Sequence, residues 1–565
     1  MGDAPRKVEA QTRLLGGTEQ NWCKAVAGGT GITALALQIS KEPNTSVFKK
    51  ALQKLQNNHP ILNSMLQKTT STGSATFVVN PSLPHLRLNI MNLSKTSELL
   101  RTLMSRGSNY TSLSPLHLIL EHELNINEWA EDTSRLTCMK GMRLWFANVY
   151  TLADHKWVLV LRFHAGICDR TTAVSFLKEL KDAMGDQKEG GGCKDEGNVG
   201  IEELIPIGKA KKTLWAHGKD MVAYSVNSFR LTNLKFKDVK SPRRSEVLRL
   251  KMNTQETHML LTGCKLRRIK LCGALAAASL LAAYSAKRHE NNQRKKYGVI
   301  FLNDCRSFLQ PSLSIHEFGF YHSAISTNHE VKGEETLWDL ATKIYKAFEN
   351  SKKNNKHFSD MTDLNFLMAK AIDNPSLTPS SSLRTSLVTV FEDPVIEVST
   401  DYERDLGLDD YIGCASAHGI GPSIAIFDTV RDGQLDCACV YPAPLHSREQ
   451  MQELLANMKI KLLEGFKVGE KEKTIEARKT QLWWFASTVG GSPTTAVGLP
   501  PTVDANHHHH LPLLLLLISF PPTICHRPHP YLVNIVDRNA KEEQWICHCV
   551  SPIITSYHFF GLLSP

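Results

Sequence analysis

The stretch LRFHAGICDR, residues 161–170, decides the fold, and it lies inside WVLVLRFHAGICDRTTAVSFLKEL, residues 157–180. The apolar run before His164 is typical of a buried strand, and Asp169 stands where a carboxylate caps a following helix. A strand that turns sharply into a helix brings the side chains of the turn together at one corner. His164 is a candidate general base there, because the pKa of an unperturbed imidazole lies near neutrality.

Composition and charge exclude several classes of protein. Of the 565 residues, 42% are hydrophobic and 22% are charged, which is typical of globular chains long enough for more than one domain. The net charge is +10, but the runs KAKK (209–212) and RKK (294–296) are short and have no aromatic ladder beside them. A nucleic-acid groove needs clustered cations, so we expect a solvated surface and no nucleic-acid partner.

Cysteine usage and the apolar segments indicate the compartment. The 13 cysteines are scattered and form no CxxC pair, which favours reduced, buried thiols and a cytoplasmic protein. The N-terminus has no apolar core that would suit a secretory signal. The run LPLLLLLISF, residues 511–520, is shorter than the roughly 20 residues of a spanning helix, so we expect no membrane span.

Strand and helix patterns alternate along the chain, which predicts the α/β class. Ser46 is a candidate cap for a helix that ends at His59-Pro60, and the apolar runs 144–152 and 157–163 predict two strands joined by the turn ADHK. Further on, the alanine-rich residues 271–286 predict a buried helix. The sequence RDGQ, residues 431–434, predicts a hairpin turn. The helix after Asp169 is expected to carry Val174, Leu177, Leu180 and Met184 on one side.

The domain organisation predicted from these patterns has four parts. Residues 1–184 form an N-terminal subdomain that carries HAGICDR, and residues 185–223 form a glycine-rich linker and crossover. Residues 224–469 form a C-terminal subdomain. Residues 470–565 are rich in His and Pro without sustained periodicity, so we expect a disordered tail or sequence that was not selected to fold.

Several segments together resemble one superfamily. ALQKLQNNHPIL (51–62), LWFANVYTL (144–152), HAGICDR and VIFLNDCRS (299–307) occur in its order, followed by the closing hairpin SIAIFDTVRDGQLDCACVYPAPLHS. Residues 12–468 therefore resemble the HxxxD-type acyltransferases, which include condensation domains, wax-ester-type and polyketide-associated acyltransferases and plant BAHD enzymes. The CDR ending is similar to plant members. The resemblance implies two chloramphenicol-acetyltransferase-like subdomains, each a mixed β-sheet with flanking helices.

The resemblance also implies a reaction. In this superfamily a histidine takes a proton from an alcohol or amine, which then attacks an acyl thioester. Acyl-CoA is therefore the expected co-substrate, entering between the subdomains, with no bound cofactor and no metal. The expected partners are acyl-CoA and a small-molecule acceptor, and the expected state is a monomer. Asp169 is expected to be mainly structural and to pair with Arg306 from the other subdomain, and Arg306 is also a candidate substrate contact.

The motif departs from the HHxxxDG pattern at two positions. Without gaps from Asp169, His164 falls on the first His, Ala165 on the second and usually catalytic His, and Arg170 on the Gly. A small shift of the turn would let His164 act as the base. Alternatively, the fold persists as a non-catalytic binding module. For Asp169 alone, a helix N-cap explains the residue as well as a role in the active site does.

Weaker candidates lie elsewhere in the sequence. Gly29 belongs to AGGTGI, which lacks the Lys-Ser/Thr of a phosphate loop; a tight turn is favoured, although glycine also lets a ligand approach closely. His418 and His322 are candidate substrate contacts, and His418 is also a candidate substitute base. For each of them a structural hydrogen bond is the favoured explanation. Cys168 is expected to be a buried thiol. A peptide-type condensation domain is a further alternative, but no carrier-domain serine motif adjoins it.

Overall fold

The predicted alternation of strands and helices is present in a computed structural model of the chain. The model describes residues 11–68, 75–80, 83–107, 110–130, 141–185, 199–286, 294–400, 403–404 and 407–465. The predicted tail and most of the glycine-rich segment after Gly185 lie outside these described residues.

The strands of the described residues are numbered in chain order. They are β1 (Gln11–Leu14), β2 (Thr30–Ile39), β3 (Ser64–Lys68), β4 (Ala75–Val79), β5 (Leu88–Met91), β6 (Met142–Arg143), β7 (Trp145–Thr151), β8 (Trp157–His164), β9 (Arg244–Met252), β10 (Lys295–Asp304), β11 (His322–Val331), β12 (Arg384–Phe391), β13 (Val395–Glu397), β14 (Leu408–Ala417), β15 (Gly421–Arg431) and β16 (Gln434–Ala443).

The helices are numbered in the same way. They are α1 (Gly17–Ala27), α2 (Thr45–Asn58), α3 (Leu93–Met104), α4 (Pro115–Leu124), α5 (Arg170–Met184), α6 (Leu214–Arg230), α7 (Thr254–Leu266), α8 (Leu271–Ala286), α9 (Leu337–Lys353), α10 (Lys356–Ser359), α11 (Met361–Asp373) and α12 (448–465).

The first large sheet has the strand order β14-β2-β8-β7-β5. Its hairpin β7–β8 confirms the two strands predicted around the turn ADHK. Asp154 and His155 turn the chain there with φ values of 58° and 51°, a conformation that short polar turn residues tolerate. A smaller sheet, β1-β4-β3-β6, lies in the same part of the chain.

The second large sheet has the order β11-β10-β12-β15-β16-β9, with β13 also paired to β15. The hairpin predicted at residues 431–434 is confirmed. Asp432 and Gly433 both have positive φ values, 50° and 76°, as a two-residue hairpin turn of the primed type requires. The predicted α/β class, with two subdomains built on mixed sheets, is therefore confirmed.

One strand crosses between the two halves of the chain. β14 comes from the C-terminal half but pairs antiparallel with β2, from Leu408 opposite Ile39 to Ala417 opposite Thr30. The sequence does not predict this exchange, because the alternating pattern of β14 suits the edge of either sheet. As a result, the N-terminal end of β2, the C-terminal end of β8 and the C-terminal end of β14 meet at one edge.

Two large apolar clusters hold the sheets to their helices. One joins the seven-stranded sheet to α8, α9 and α12, and the other joins the five-stranded sheet to α2 and α5. The predicted burial of residues 271–286 is confirmed, since α8 is buried along almost its whole length. A third cluster contains residues from both halves, among them Val160 of β8 and Val440 of β16.

One local prediction was wrong. The cap of α2 is Asn44, whose Oδ1 accepts hydrogen bonds from Ser46 N and Val47 N, so the helix begins one residue before Ser46. Asparagine is at least as good an N-cap as serine.

The apolar side predicted for the helix after Asp169 faces the core. In α5, Leu177 and Leu180 are buried, and Met184 is partly buried against the same apolar cluster.

Among the described residues, no single helix is both long and apolar enough to cross a membrane. The bent pair α7 and α8, which meet at 106°, passes the length and composition test only when the two helices are taken together.

The close packing of α8 predicts a sharp response to added volume. Ala276 is fully buried, so Ala276→Leu should lower the free energy of unfolding by about 1–3 kcal/mol through overpacking. Urea unfolding followed by circular dichroism measures this. Ala223→Leu, on the exposed side of α6, is the matched control and should change stability little. Equal effects of the two substitutions would contradict the packing described here.

Candidate functional site

The predicted strand-to-helix corner forms as the sequence suggests. β8 ends at His164, residues Ala165–Ile167 make a single 3-10 turn, and α5 begins at Arg170. Asp169 is the N-cap of α5, with Oδ1 accepting a hydrogen bond from Thr172 N at 2.8 Å. The N-cap explanation of Asp169 is therefore confirmed.

Asp169 also binds groups from the C-terminal half. Arg306 donates to both of its carboxylate oxygens, at 2.9 and 3.2 Å, and Tyr321 N donates at 2.8 Å. Nδ1 of His322 lies 3.0 Å from Asp169 Oδ2. The structure thus shows the pairing of Asp169 with Arg306, while the predicted contact of Arg306 with substrate stays a prediction.

The electrostatics of this cluster favour its charged state. Burial by itself would raise the pKa of Asp169, but the charges of Arg306 and the adjacent His322 outweigh it, and the pKa lies well below its usual range. Burial likewise would lower the pKa of Arg306, and the carboxylates of Asp169 and Asp304 raise it instead. Both side chains therefore stay charged near neutral pH. Because the pKa of Asp169 is so low, its carboxylate is too weak a base to accept a proton from a substrate.

His164 is oriented toward the protein interior. Its side chain is fully buried and lies edge-on to the indole of Trp129, with ring centroids 5.3 Å apart. Nδ1 accepts a hydrogen bond from Gly166 N at 2.9 Å. Because a backbone N–H can only donate, the neutral ring carries its proton on Nε2. This geometry suits a structural histidine, and the role of general base stays a prediction.

Ala165 occupies an apolar environment. Its methyl group is buried in a cluster with Val26, Ile32 and Trp129, against which Trp22 and Phe146 also pack. Alanine therefore fits this position by size and polarity. Its side chain makes apolar contacts there and offers no proton acceptor.

Arg170, which replaces the usual glycine, reaches the C-terminal sheet. Its guanidinium lies 3.0 Å from Asp428 Oδ1 and 4.3 Å above the ring of Phe391, and it donates to the backbone carbonyl of Asp393 at 3.1 Å. Burial raises the pKa of Asp428, and the charge of Arg170 partly offsets this effect. Arg170 is thus a second polar link between α5 and the C-terminal half.

His418 lies in the turn between β14 and β15 and is only partly buried. Nδ1 is 3.0 Å from Oγ of Ser245, which also accepts a hydrogen bond from Ala417 N. The ring sits directly on Gly29, whose φ is +93°; a Cβ there would come within 2.0 Å of His418 Nε2. The space left by glycine is therefore filled by the ring of His418, and the role of Gly29 in binding a ligand stays a prediction.

The six predicted site residues fall into three places. Asp169, Arg306 and His322 form one cluster, and Gly29 and His418 form another. His164 belongs to neither cluster. It pairs with Ile32 of β2, and Ala417, next to His418, pairs with Thr30 of the same strand. All three places therefore lie near one edge of the sheet. The functional roles of these residues stay predictions.

The cysteines of the described residues, Cys168 among them, are free and buried thiols. Burial raises the pKa of the Cys168 thiol. A thiol whose pKa is raised is a poor nucleophile, which agrees with the expectation of a buried structural residue.

One carboxylate cluster has the composition of a metal site. One carboxylate oxygen from each of Asp220, Asp360 and Asp363 lies within 4.8 Å of the other two. Nζ of Lys212 lies among these oxygens, 2.6 Å from Asp220, 2.6 Å from Asp360 and 2.8 Å from Asp363. The ammonium group supplies the positive charge there. The expectation that no metal is bound, which the resemblance implies, stays a prediction.

Comparison with known proteins shows the fold. No protein-family model matches the sequence, and no curated protein matches it. Among solved structures, TRI3 trichothecene 15-O-acetyltransferase from Fusarium sporotrichioides is similar at a TM-score of 0.58 and 10% identity, over 81% of this chain and 95% of that one. The chain has the acetyltransferase and condensation-domain fold.

Two further structures with the same fold come from biosynthetic synthases. The epimerization domain of the third module of tyrocidine synthetase B matches at a TM-score of 0.52 and 12% identity, over 83% of this chain and 98% of that one. The condensation domain of the monacolin K polyketide synthase MokA matches at 0.52 and 8%, over 81% and 98%. At such identities the similarity is one of fold alone.

Breaking the Asp169–Arg306 pair should destabilise the protein strongly. Asp169→Asn leaves a buried guanidinium without its counter-charge, which typically costs about 3–5 kcal/mol. Chemical unfolding measures the loss, and Asp182→Asn on the exposed face of α5 is the control. In Asp169→Asn/Arg306→Met the loss should be smaller than the sum of the two single losses. Additive losses would show that the pair is not coupled.

Buried histidines predict that stability falls in mild acid. Burial, together with nearby cations, lowers the pKa of His329, His357 and His418 to about 4 and that of His446 to about 3. In the unfolded chain their pKa is about 6.5, so the unfolded state binds more protons below that pH. The free energy of unfolding should therefore decrease as the pH falls from about 7 to 5. A constant value across this range would contradict the lowered pKa values.

Proposed function

We propose that this protein transfers an acyl group from a coenzyme A thioester to an alcohol or amine acceptor, at the sheet edge where β2, β8 and β14 meet. The observation that carries the proposal is the position of His418, a partly exposed imidazole at this edge that is oriented through Nδ1 by Ser245. The similarity of fold to an acetyltransferase and to a condensation domain supports the reaction class. The reaction needs neither a metal nor a covalent intermediate on the protein.

The proposed mechanism is direct transfer. With the proton of the neutral ring on Nδ1, donated to Ser245 Oγ, Nε2 of His418 takes the proton of the acceptor hydroxyl or amine. The acceptor then bonds to the thioester carbonyl carbon, and a tetrahedral oxyanion forms. When it collapses, the carbon–sulfur bond breaks and the proton passes to the departing thiolate, which leaves as free coenzyme A.

The electrostatics limit the expected rate. Burial and the charges of Arg384 and Arg243 lower the pKa of His418 to about 4, so its neutral form is present across the physiological pH range. However, an imidazole with such a pKa accepts a proton less readily than one near 7. We therefore expect slow turnover unless a bound substrate raises the pKa of His418.

A second candidate is favoured by a different observation. Ala165 packs among apolar side chains, and His164 Nδ1 is occupied by Gly166 N, so the position used for the base in HHxxxDG proteins holds no proton acceptor. A protein of this kind would bind an acyl thioester without transferring it. We infer a cytoplasmic location and a monomeric state for both candidates, from the sequence alone.

Release of free thiol from acyl-CoA, with a panel of alcohols and amines, tests the proposal on the full-length protein. His418→Ala should lower kcat/KM by about 10²-fold or more, as expected when a general base is removed. His258→Ala, on the exposed face of α7, should leave kcat/KM unchanged.

Other results would overturn the assignment in distinct ways. Thermal stabilisation by acyl-CoA without any thiol release would favour the binding module. Loss of turnover in folded His164→Ala, with His418→Ala unaffected, would return the role of base to His164.

A further inference from the structure

Two arginines, Arg243 and Arg384, lie near His418, and neither of them pairs with a carboxylate among the described residues. Arg243 immediately precedes β9, and Arg384 is the first residue of β12. Both guanidiniums lower the pKa of His418 through their charge, after the larger effect of burial.

Arg384 is the more buried of the two, with 1% of its surface exposed. It donates to the backbone carbonyls of Ser382 at 3.2 Å and Ala417 at 3.1 Å, and also to those of Pro422 and Gly419. These carbonyls satisfy most of its five N–H donors, but they carry no net negative charge. A buried charge is costly unless an opposite charge accompanies it.

Arg243 converges on the same backbone segment. It donates to Ser381 O at 3.2 Å and to Ser382 O, the carbonyl that Arg384 also binds. Two guanidiniums thus share one acceptor although their charges repel. Burial, and then the charge of Arg243, lowers the pKa of Arg384 to about 9. An anion placed between them would remove this repulsion.

The segment that the two arginines bind is strained. Ser380, Ser381 and Leu383 have φ values of 54°, 53° and 59°, in the left-handed region that disfavours residues other than glycine. Strained backbone of this kind is concentrated at ligand sites and switches, where surrounding contacts hold it in place.

A buried hydroxyl at the same place lacks a partner. Thr30, at the start of β2, is 9% exposed, and its Oγ1 has no hydrogen-bond partner among the described residues. The hydroxyl faces Gly419, where an added Cβ would lie 3.0 Å from it. Gly419 follows His418 and accepts a hydrogen bond from Arg384. This hydroxyl is available to donate to an acceptor brought by a ligand.

We propose that Arg243, Arg384, His418 and the hydroxyl of Thr30 form a binding site for an anionic oxo group, a carboxylate or a phosphate, carried by a substrate. The anion site stands on these contacts alone, whereas its identification as part of a substrate site rests on the function proposed above. Arginine suits this ligand, because its planar donors match two oxygens of a carboxylate or phosphate.

The site would also act on the proposed base. A bound anion offsets the charges of Arg243 and Arg384 and favours the protonated form of His418, so it raises the pKa of that histidine. The pKa then moves from about 4 toward neutrality, where a general base works best. An acceptor with an anionic group would therefore improve the base that acts on it.

A titration of His418 by NMR tests the site without turnover. The full-length protein, with labelled histidine, is titrated with acid in the presence of acetate, inorganic phosphate or chloride. Acetate or phosphate should raise the pKa of His418 relative to chloride, and the two arms show which oxo group fits. Arg243→Gln should weaken binding by about tenfold or more, as expected when a charge-assisted hydrogen bond is lost.

Two controls separate the outcomes. Arg101→Gln, on the exposed face of α3, should bind the anion as the wild-type protein does, and Arg243→Lys should retain part of the affinity. No change in the pKa of His418 with either anion, or an equal change in Arg243→Gln, would overturn the site. Anion binding without any thiol release would keep the site and refute acyl transfer instead.

Discussion

The ion pair between Asp169 and Arg306 is the interaction on which the site region depends. Both side chains are almost completely buried, and one carboxylate caps α5, accepts from Tyr321 N and receives the guanidinium from the other half. Each charge is stable in the interior only because the other is present. The pair therefore fixes where β8 turns into α5 and where that corner meets the C-terminal half.

The residues that hold the strand-to-helix corner together are different from the residue proposed to act as the base. The corner keeps its carboxylate and its partner arginine, while the adjacent position holds Ala165 in an apolar cluster. Arg170, in place of glycine, adds a link to Asp428 and Phe391. Ala165 thus packs within the N-terminal half, while Arg170 adds a contact between the two halves. The proposed chemistry therefore moves to His418, at the end of β14.

Local patterns predicted much of the fold. The β7–β8 hairpin, the turn at Asp432-Gly433 and the buried helix α8 follow from periodicity and turn chemistry, which depend on neighbours in the sequence. The pairing of β14 with β2 could not be predicted from local patterns. It joins residues more than 360 positions apart, and no local signal selects the partner strand. The cap of α2 was placed at Ser46 because two good capping residues stand close together.

The site was predicted less well than the fold. His164 and Asp169 stand out as residue types, but sequence spacing does not show that Gly166 N occupies His164 Nδ1. The sequence predicts a tight turn at Gly29, but the ring that fills the space beside it belongs to His418, far along the chain. Arg384 carries a signal that could have been used: a charged residue opens the apolar strand RTSLVTVF, and a buried arginine there needs acceptors.

The central claim is that His164 has a structural role and that His418 is the general base of the proposed reaction. Nitrogen-15 NMR of the two imidazoles, with and without acyl-CoA, tests it most directly. The account predicts that His164 is protonated on Nε2 and unprotonated on Nδ1, with no change when acyl-CoA is added, while the signals of His418 shift. A proton on His164 Nδ1, with Nε2 responding to acyl-CoA and His418 unaffected, would contradict it.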